Sequence, residues 1–196
     1  MAAFPLAAFP WPYSFLVAAV GAERLVELRL SRRNRRAALA RGGFEAGRGH
    51  YPAMVALHTG LLVACLGEVW WCERPWIPEL GFAMLALLAL SMTLRYWAIT
   101  TLGERWNTRI VVIPGVAPVV HGPYRLMRHP NYLAVVLELV ALPLVHSAWL
   151  TAIVFSLLNA WLLGVRVRAE EAALRSASPY DASFADRRGF APRGAR

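Results

Sequence analysis

The sequence contains no lysine, so all 21 of its basic side chains are arginines, against 12 acidic side chains. The net charge of +9 and the pI near 10.7 would suit a nucleic-acid-binding protein. The arginines, however, are concentrated between apolar runs, as in the cytosolic loops of membrane proteins. We therefore expect them to face anionic lipid headgroups, and we expect no nucleic-acid partner.

Several motifs of soluble enzymes are also missing from the chain. It has no glycine-rich dinucleotide fingerprint, no Walker phosphate loop and no serine nucleophile elbow. The five histidines and the two cysteines, Cys65 and Cys72, show no metal-ligand spacing, so we predict free thiols and no metal site. These absences argue against nucleotide binding of the soluble type.

Long apolar runs dominate the sequence, and hydrophobic residues make up 58% of its 196 positions. Because about 20 apolar residues cross a bilayer core of roughly 30 Å, the runs predict an all-α integral membrane protein with about five transmembrane helices. The last two helices would form a hairpin whose first arm, roughly 20–22 Å long, is short for a full crossing. The expected spans are residues 13–30, 51–71, 79–101, 131–143 and 147–165, the last continuing as a helix to about residue 176.

The polar connections suggest one domain over residues 1–196, with three N-terminal spans in 1–101 and a second half in 102–196. Most arginines lie in segments 31–49, 102–130 and 166–196, whereas the opposite turns carry only Arg74. The positive-inside rule then places the C-terminus in the cytosol and the N-terminus outside. Within the second connection, residues 110–113 resemble a short strand, and long loops of this kind are commonly functional.

Two polar clusters frame the hairpin and fall on the same predicted side of the membrane. The first combines Tyr124 with the run 129–132, and the second is Arg166 followed by Glu170 and Glu171. The aromatic loop could bind a planar cationic ligand or could be a capped interfacial turn. Arg166 and Glu170 could bind a substrate, or they could form a solvated i,i+4 ion pair. The residues alone leave both alternatives open.

Three ionisable residues, Glu68, Arg95 and Glu138, interrupt the apolar spans. A charged group in the hydrocarbon region is costly and usually faces a cavity or a partner. Arg95 could therefore form a structural ion pair with either carboxylate. Alternatively, one of the carboxylates lines a lipid-binding cavity and, being desolvated, acts as a general base.

Gly122-Pro-Tyr124, Arg128-His-Pro-x-Tyr132 and Arg166-x-x-x-Glu170-Glu-x-x-Leu174 together resemble the isoprenylcysteine carboxyl methyltransferase family over residues 109–180. Those proteins are integral membrane enzymes that use S-adenosylmethionine. The resemblance implies that Arg166 orients the substrate near the methyl group and that methyl transfer is an in-line displacement. It also implies a set of cofactor-binding residues in this chain: Val116, Ala117, Pro118, Val119, Tyr124, His129, Pro130, Asn131, Tyr132 and Glu170.

Two features depart from the family pattern. Ala134 stands where a glycine often follows the motif tyrosine, and the later aromatic pair is Tyr180 and Phe184 instead of two tyrosines. Both changes are expected near the lipid substrate, so they leave its identity open and affect the cofactor assignment less.

The stretches Arg24-Leu-Val-Glu27-Leu, His50-Tyr-Pro and Trp106-Asn-Thr-Arg109 look similar to a bacterial branch that methylates alkylresorcinols or alkylpyrones. A phenol, with a pKa near 10, needs a base, for which Glu138 is the first candidate and Glu68 the second, whereas an acidic hydroxypyrone needs none. The resemblance thus implies a lipid O-methyltransferase of the bacterial cytoplasmic membrane with a cytosolic cofactor pocket. The alternatives are an isoprenylcysteine carboxyl or phospholipid methyltransferase, an NADPH-dependent membrane reductase, and a non-catalytic scaffold.

Overall fold

The computed structural model describes residues 10–184, which fold into five long helices and a small two-stranded sheet. Three short 3-10 turns and a one-turn helix, α6, complete this part of the chain. The predicted all-α class is confirmed. The long helices are α1 (Trp11–Ala40), α2 (Tyr51–Trp71), α3 (Pro78–Leu102), α4 (Pro130–Leu144) and α5 (Trp149–Ala177), and α6 covers Tyr180–Ser183.

Proline and glycine mark the helix boundaries. Pro78 and Pro130 open α3 and α4, where the missing N–H of proline costs no intrahelical hydrogen bond. Gly103 ends α3 with a φ of +54°, a backbone conformation that glycine adopts without steric cost. These signals explain why the predicted bounds of α2 to α5 agree with the structure to within a few residues.

Three of the helical segments are long and apolar enough to cross a membrane: Arg48–Trp71, Pro78–Arg105 and Trp149–Ala177. The outer faces of these segments expose large apolar side chains such as Val63, Phe82 and Trp161, as lipid-facing surfaces do. The prediction of five spans is thus confirmed for three helices. It stays a prediction for α1, which carries many charges, and for α4, which has 15 residues.

The core lies where α4 packs between its neighbours. Leu61, Leu139 and Leu142 are almost completely buried. Ala134 and Ser91 are fully buried at the contact between α4 and α3, where the Ser91 hydroxyl donates to the Ala134 carbonyl at 2.7 Å. Small side chains allow this close approach of the two helices. Ala134 therefore belongs to a helix contact, and the structure does not bring it near a lipid-binding surface.

The two strands join the loops at one end of the bundle. Strand β1 (Phe44–Ala46) pairs antiparallel with β2 (Ile110–Val112), with Glu45 opposite Val111. The sequence predicted β2 but not β1, which lies in a segment read as a loop. Gly47 has a φ of +61°, and a Cβ there would lie 2.3 Å from the His50 ring, so the turn after β1 requires glycine.

Candidate active site

A cavity of about 160 Å³ lies at the end of the bundle that carries the sheet. It is bounded by β2, by the loop that follows it, by the start of α4 and by the last turns of α5. Among the residues that line it are nine of the ten predicted cofactor-binding residues: Val116, Ala117, Pro118, Val119, Tyr124, His129, Asn131, Tyr132 and Glu170. The tenth, Pro130, is buried behind the wall, where it opens α4.

The two polar clusters of the sequence meet at this cavity. His129 Nε2 lies 3.0 Å from Glu171 Oε1, and the imidazole stacks on the Tyr132 ring with the centroids 5.3 Å apart. The Tyr132 hydroxyl donates to Glu170 Oε2. The first turn of α4 and the last turns of α5 are therefore held together by side-chain hydrogen bonds, which form one continuous polar and aromatic wall.

Arg166 is buried and holds that wall to the loop before β2. Its Nε donates to the Tyr132 hydroxyl at 2.8 Å, and its Nη2 donates to the Thr108 carbonyl, also at 2.8 Å. The guanidinium thus uses two of its fixed donor directions on two different elements. Arg166 does not line the first cavity. It lines a second one.

The second cavity, of about 170 Å³, lies among the five long helices and the loop before β2. Its walls are mainly apolar, with Met54, Leu62 and Val135 among them. Four charged side chains, Arg24, Glu27, Arg95 and Arg166, and the imidazole of His58 interrupt this apolar lining. Such a mixture fits a ligand with a small polar head and a hydrocarbon tail.

Four residues line both cavities: Trp106, Asn107, Asn131 and Tyr132. Three of them present buried polar atoms, Trp106 Nε1, Asn107 Nδ2 and Asn131 Oδ1, that have no hydrogen-bond partner among the described residues. Buried polar groups are normally paired, so unpaired ones at a cavity wall indicate a place where a ligand binds. A group could therefore pass between a ligand in one cavity and a ligand in the other at this junction.

A polar stripe on α1 positions the junction, and sequence reasoning missed it. Ser31 Oγ accepts from Thr108 N at 3.0 Å, and Asn34 Nδ2 donates to the Trp106 carbonyl at 2.9 Å. The stripe could have been found from its spacing, because the buried positions Glu27, Ser31 and Asn34 follow one another at helical intervals of four and three.

Glu45 of β1 binds two arginines, one of which, Arg109, lines the first cavity. Its carboxylate accepts from Arg35 Nε at 2.9 Å and from Arg109 Nη1 at 2.5 Å, while the Arg109 guanidinium lies 3.8 Å from the centre of the Tyr51 ring. Burial raises the pKa of Glu45, but the hydrogen bonds from Arg109 and Arg35 outweigh that effect and lower it overall. Glu45 is therefore an ionised clamp.

Burial also sets the ionisation of two tyrosines outside the membrane spans. It raises the pKa of the Tyr124 phenol, with a further contribution from the Glu170 charge. It also raises the pKa of the Tyr180 phenol, with further contributions from the Glu171 and Glu170 charges. Both hydroxyls are neutral at physiological pH. Tyr180 and Phe184, which the sequence placed near the lipid, instead line the first cavity with Arg128 at their edge.

The two predicted base candidates do not line either cavity. Glu138 is buried behind the second cavity, where Arg95 donates to it and Arg24 lies 3.8 Å away. Of the alternatives left open by the sequence, the structure shows the ion pair of Arg95 with Glu138. The carboxylate that does line the second cavity is Glu27. Sequence reasoning assigned it no role.

Glu68 lies at the opposite end of the bundle, so the structure does not bring it together with the predicted cofactor-binding residues. Its Oε1 accepts from Leu150 N at 3.1 Å and pairs with Arg74 at 2.8 Å, and its Oε2 accepts from Thr151 N at 2.6 Å. The carboxylate caps the first turn of α5, whose N–H groups have no partner within their own helix.

Comparison with known proteins gives one family and two relatives. The model of the isoprenylcysteine carboxyl methyltransferase (ICMT) family matches residues 84–176, which run from α3 to the end of α5. The uncharacterized protein YpbQ of Bacillus subtilis is 38% identical over 164 residues, covering 83% of this chain and 96% of that protein. An uncharacterized protein of Haemophilus influenzae is 27% identical over 165 residues, covering 83% and 94% of the two chains.

Proposed function

Because the chain belongs to the isoprenylcysteine carboxyl methyltransferase family of membrane methyltransferases, we propose that it transfers a methyl group from S-adenosylmethionine to an oxygen atom of a lipophilic acceptor. The observation that carries this proposal is the pair of cavities that meet at Asn131 and Tyr132. One cavity suits a polar cofactor and the other a lipid. Methyl transfer requires the two to approach at one point.

The residues of the first cavity fit S-adenosylmethionine. The segment 116–119 offers an apolar wall for a flat heterocycle, and the Glu170 carboxylate lies where a cationic group would be attracted. The stacked rings of His129 and Tyr132 add aromatic faces, which also attract cations. The unpaired buried atoms of Asn131 and Trp106 give such a ligand hydrogen-bond partners.

When bound, the cofactor would supply a methyl group on a positively charged sulfur, and the protein's part is mainly positioning and charge. Arg166 would keep Tyr132 and the Thr108 segment at fixed separation at the junction. His129, held by Glu171, would keep the Tyr132 ring in its stacked orientation. The apolar wall of the second cavity would keep water away from the reacting atoms.

The acceptor that we propose is a long-chain phenolic or enolic polyketide lipid, such as an alkylresorcinol or an alkylpyrone. Support comes from the three stretches that resemble that bacterial branch, two of which supply Glu27 and Trp106 to the second cavity. The apolar lining of this cavity, set among helices with exposed apolar faces, suits a tail that arrives from the bilayer.

We further propose that the protein lies in the bacterial cytoplasmic membrane with its site on the cytosolic side. The arginine-rich segments 31–49 and 102–130 both adjoin the cavity end of the bundle, whereas the opposite end has Arg74 in its turn. That asymmetry is what the positive-inside rule requires of a cytosolic end.

Calorimetry of the detergent-purified protein with S-adenosylhomocysteine tests the cofactor assignment. We expect Glu170→Ala and His129→Ala each to weaken binding at least about tenfold, because each removes a wall group that contacts or orients the ligand. Glu104→Ala is the matched control, since this carboxylate is exposed at the same end of the bundle. It should bind like the wild type.

Unchanged affinity in both site variants would contradict the assignment of the cofactor cavity. Saturable binding of NADPH in place of S-adenosylhomocysteine would instead identify a membrane reductase. Binding of neither cofactor by the wild-type protein would indicate a non-catalytic scaffold.

A further inference from the structure

Glu27 is the carboxylate that faces the second cavity. Its side chain is buried, with only 9% of it exposed. Oε2 accepts a hydrogen bond from Arg24 Nη1 at 2.7 Å and lies 3.6 Å from Arg95 Nη1. Oε1 is buried and has no hydrogen-bond partner among the described residues. One oxygen is thus held by arginines while the other remains able to accept a hydrogen bond from a ligand.

The ion-pair cluster around Glu27 favours a ligand that donates a hydrogen bond. Arg24 and Arg95 contribute two positive charges, and Glu23, Glu27 and Glu138 contribute three negative charges within the same ion-pair cluster. Each arginine of the cluster is thus already paired with carboxylates. The oxygen left over, Glu27 Oε1, can only accept a hydrogen bond, so it suits an O–H donor and not a lipid carboxylate or phosphate.

The junction of the two cavities lies within reach of Glu27. Ser31, one helical turn further along α1, contacts Asn107 and Thr108 at the junction. One turn corresponds to about 5.4 Å along the helix axis. Glu27 and the junction residues Asn107 and Tyr132 line this one cavity, so a single ligand head group can contact both.

We infer that Glu27 Oε1 accepts the proton of the acceptor's hydroxyl group, and that the acceptor is therefore a neutral phenol or enol and not a lipid carboxylate. The inference rests on the proposed methyl transfer. In this step the acceptor O–H bond breaks and its proton moves to Glu27. The acceptor oxygen forms the new C–O bond, and the C–S bond of the cofactor breaks with its electron pair left on sulfur.

The other two carboxylates of the cluster are placed differently. Glu138 does not line the cavity. It accepts a hydrogen bond from Arg95, and its role is to hold Arg95 beside Glu27. Glu23 receives hydrogen bonds from Arg24 and from Tyr96 on the lipid-facing side. Glu23→Gln therefore removes the same charge from the same cluster without touching the cavity, and it is the matched control.

The test compares two acceptors of equal alkyl chain length, an alkylresorcinol and a 4-hydroxy-6-alkylpyrone, with labelled S-adenosylmethionine. The pyrone is acidic and already ionised at neutral pH, so it needs no base. We expect Glu27→Gln to lower kcat/KM for the resorcinol by about 100-fold or more and that for the pyrone by only a few-fold. Glu23→Gln should leave the ratio between the acceptors unchanged, and neither variant should change the affinity for S-adenosylhomocysteine.

Equal losses on both acceptors in Glu27→Gln would overturn the inference and make Glu27 a structural partner of Arg24. A wild-type protein that methylates a farnesylcysteine carboxylate in preference to the resorcinol would also overturn the inference. If Glu27→Gln does not fold, Glu27→Asp keeps the charge beside Arg24 but withdraws the oxygen by one methylene. A selective loss on the resorcinol then sustains the inference, and an equal loss overturns it. Failure of the wild type to bind S-adenosylhomocysteine would instead reject the proposed function itself.

Discussion

The two ends of the helix bundle each bury a carboxylate beside an arginine, but the two carboxylates are satisfied to different degrees. At the far end, both oxygens of Glu68 are occupied, by two N–H groups of α5 and by Arg74. At the site end, Glu27 has one oxygen bound to arginine and one oxygen without a partner in residues 10–184. The sequence placed both residues in predicted membrane spans, and their positions in those spans do not reveal this difference.

The difference indicates that the hydrogen bonds of a buried carboxylate distinguish a stabilising role from a functional one. A carboxylate whose hydrogen-bonding capacity is fully used stabilises the fold, because breaking any of its contacts leaves a buried N–H or cation unpaired. A carboxylate with an unused oxygen on a cavity wall costs stability until a ligand donates to it. The comparison therefore predicts that changes at the site end reduce activity and that changes at the far end reduce stability.

The largest effect is expected at Arg166. Arg166→Lys keeps the charge but cannot donate to both the Tyr132 hydroxyl and the Thr108 carbonyl, because an ammonium lacks the planar fork of a guanidinium. We expect kcat to fall by about 100-fold or more, with the S-adenosylhomocysteine affinity changed only a few-fold. Steady-state kinetics and calorimetry on the same preparation measure both quantities.

Arg168→Lys is the matched control for this variant, since Arg168 lies two residues further along α5 and is exposed. It should retain wild-type kinetics. An Arg166→Lys protein with normal turnover but a lower melting temperature would contradict the comparison, because it would make Arg166 a stabilising residue like Glu68.

A smaller effect, on stability alone, is expected at Glu68. Glu68→Gln leaves one N–H of the first turn of α5 and the Arg74 guanidinium without a carboxylate partner. The expected loss is about 1–3 kcal/mol in the free energy of unfolding, which thermal melting in detergent would detect. Turnover per folded molecule should match the wild type. A selective loss of turnover would instead support the predicted catalytic role of Glu68.

The helix boundaries and the residues of the cofactor cavity could both be predicted from the sequence, but for different reasons. Apolar runs bounded by Pro78, Gly103 and Pro130 fix where α3 and α4 begin and end, because proline and glycine act locally. The clusters at 124–132 and 166–171 are near the ends of a single hairpin, so their meeting follows from chain connectivity. That is why nine of the ten predicted cofactor-binding residues line one cavity.

The acceptor side could not be predicted in the same way. Which of Glu27, Glu68 and Glu138 faces a cavity depends on the rotation of each helix and on contacts between α1, α3 and α4, which are distant in sequence. Strand β1 likewise forms only because β2 is available to pair with it, since its three residues have no strong strand pattern of their own.

The smallest effect is expected at Glu45, where pH can be used to sharpen the comparison between stabilising and catalytic carboxylates. The hydrogen bonds from Arg109 and Arg35 lower the pKa of Glu45 below its ordinary value of 4.5, so the fold favours the ionised form. The stabilisation from this clamp is complete above about pH 4.5, and it is lost as the pH falls through the lowered pKa.

We expect Glu45→Gln to melt below the wild type at pH 7 by an amount equivalent to less than about 1 kcal/mol, because both arginines are one-third exposed and screened. The difference in melting temperature should then narrow on acidification below pH 4.5, and a difference that stays constant with pH would show that the ionised carboxylate contributes nothing to the clamp.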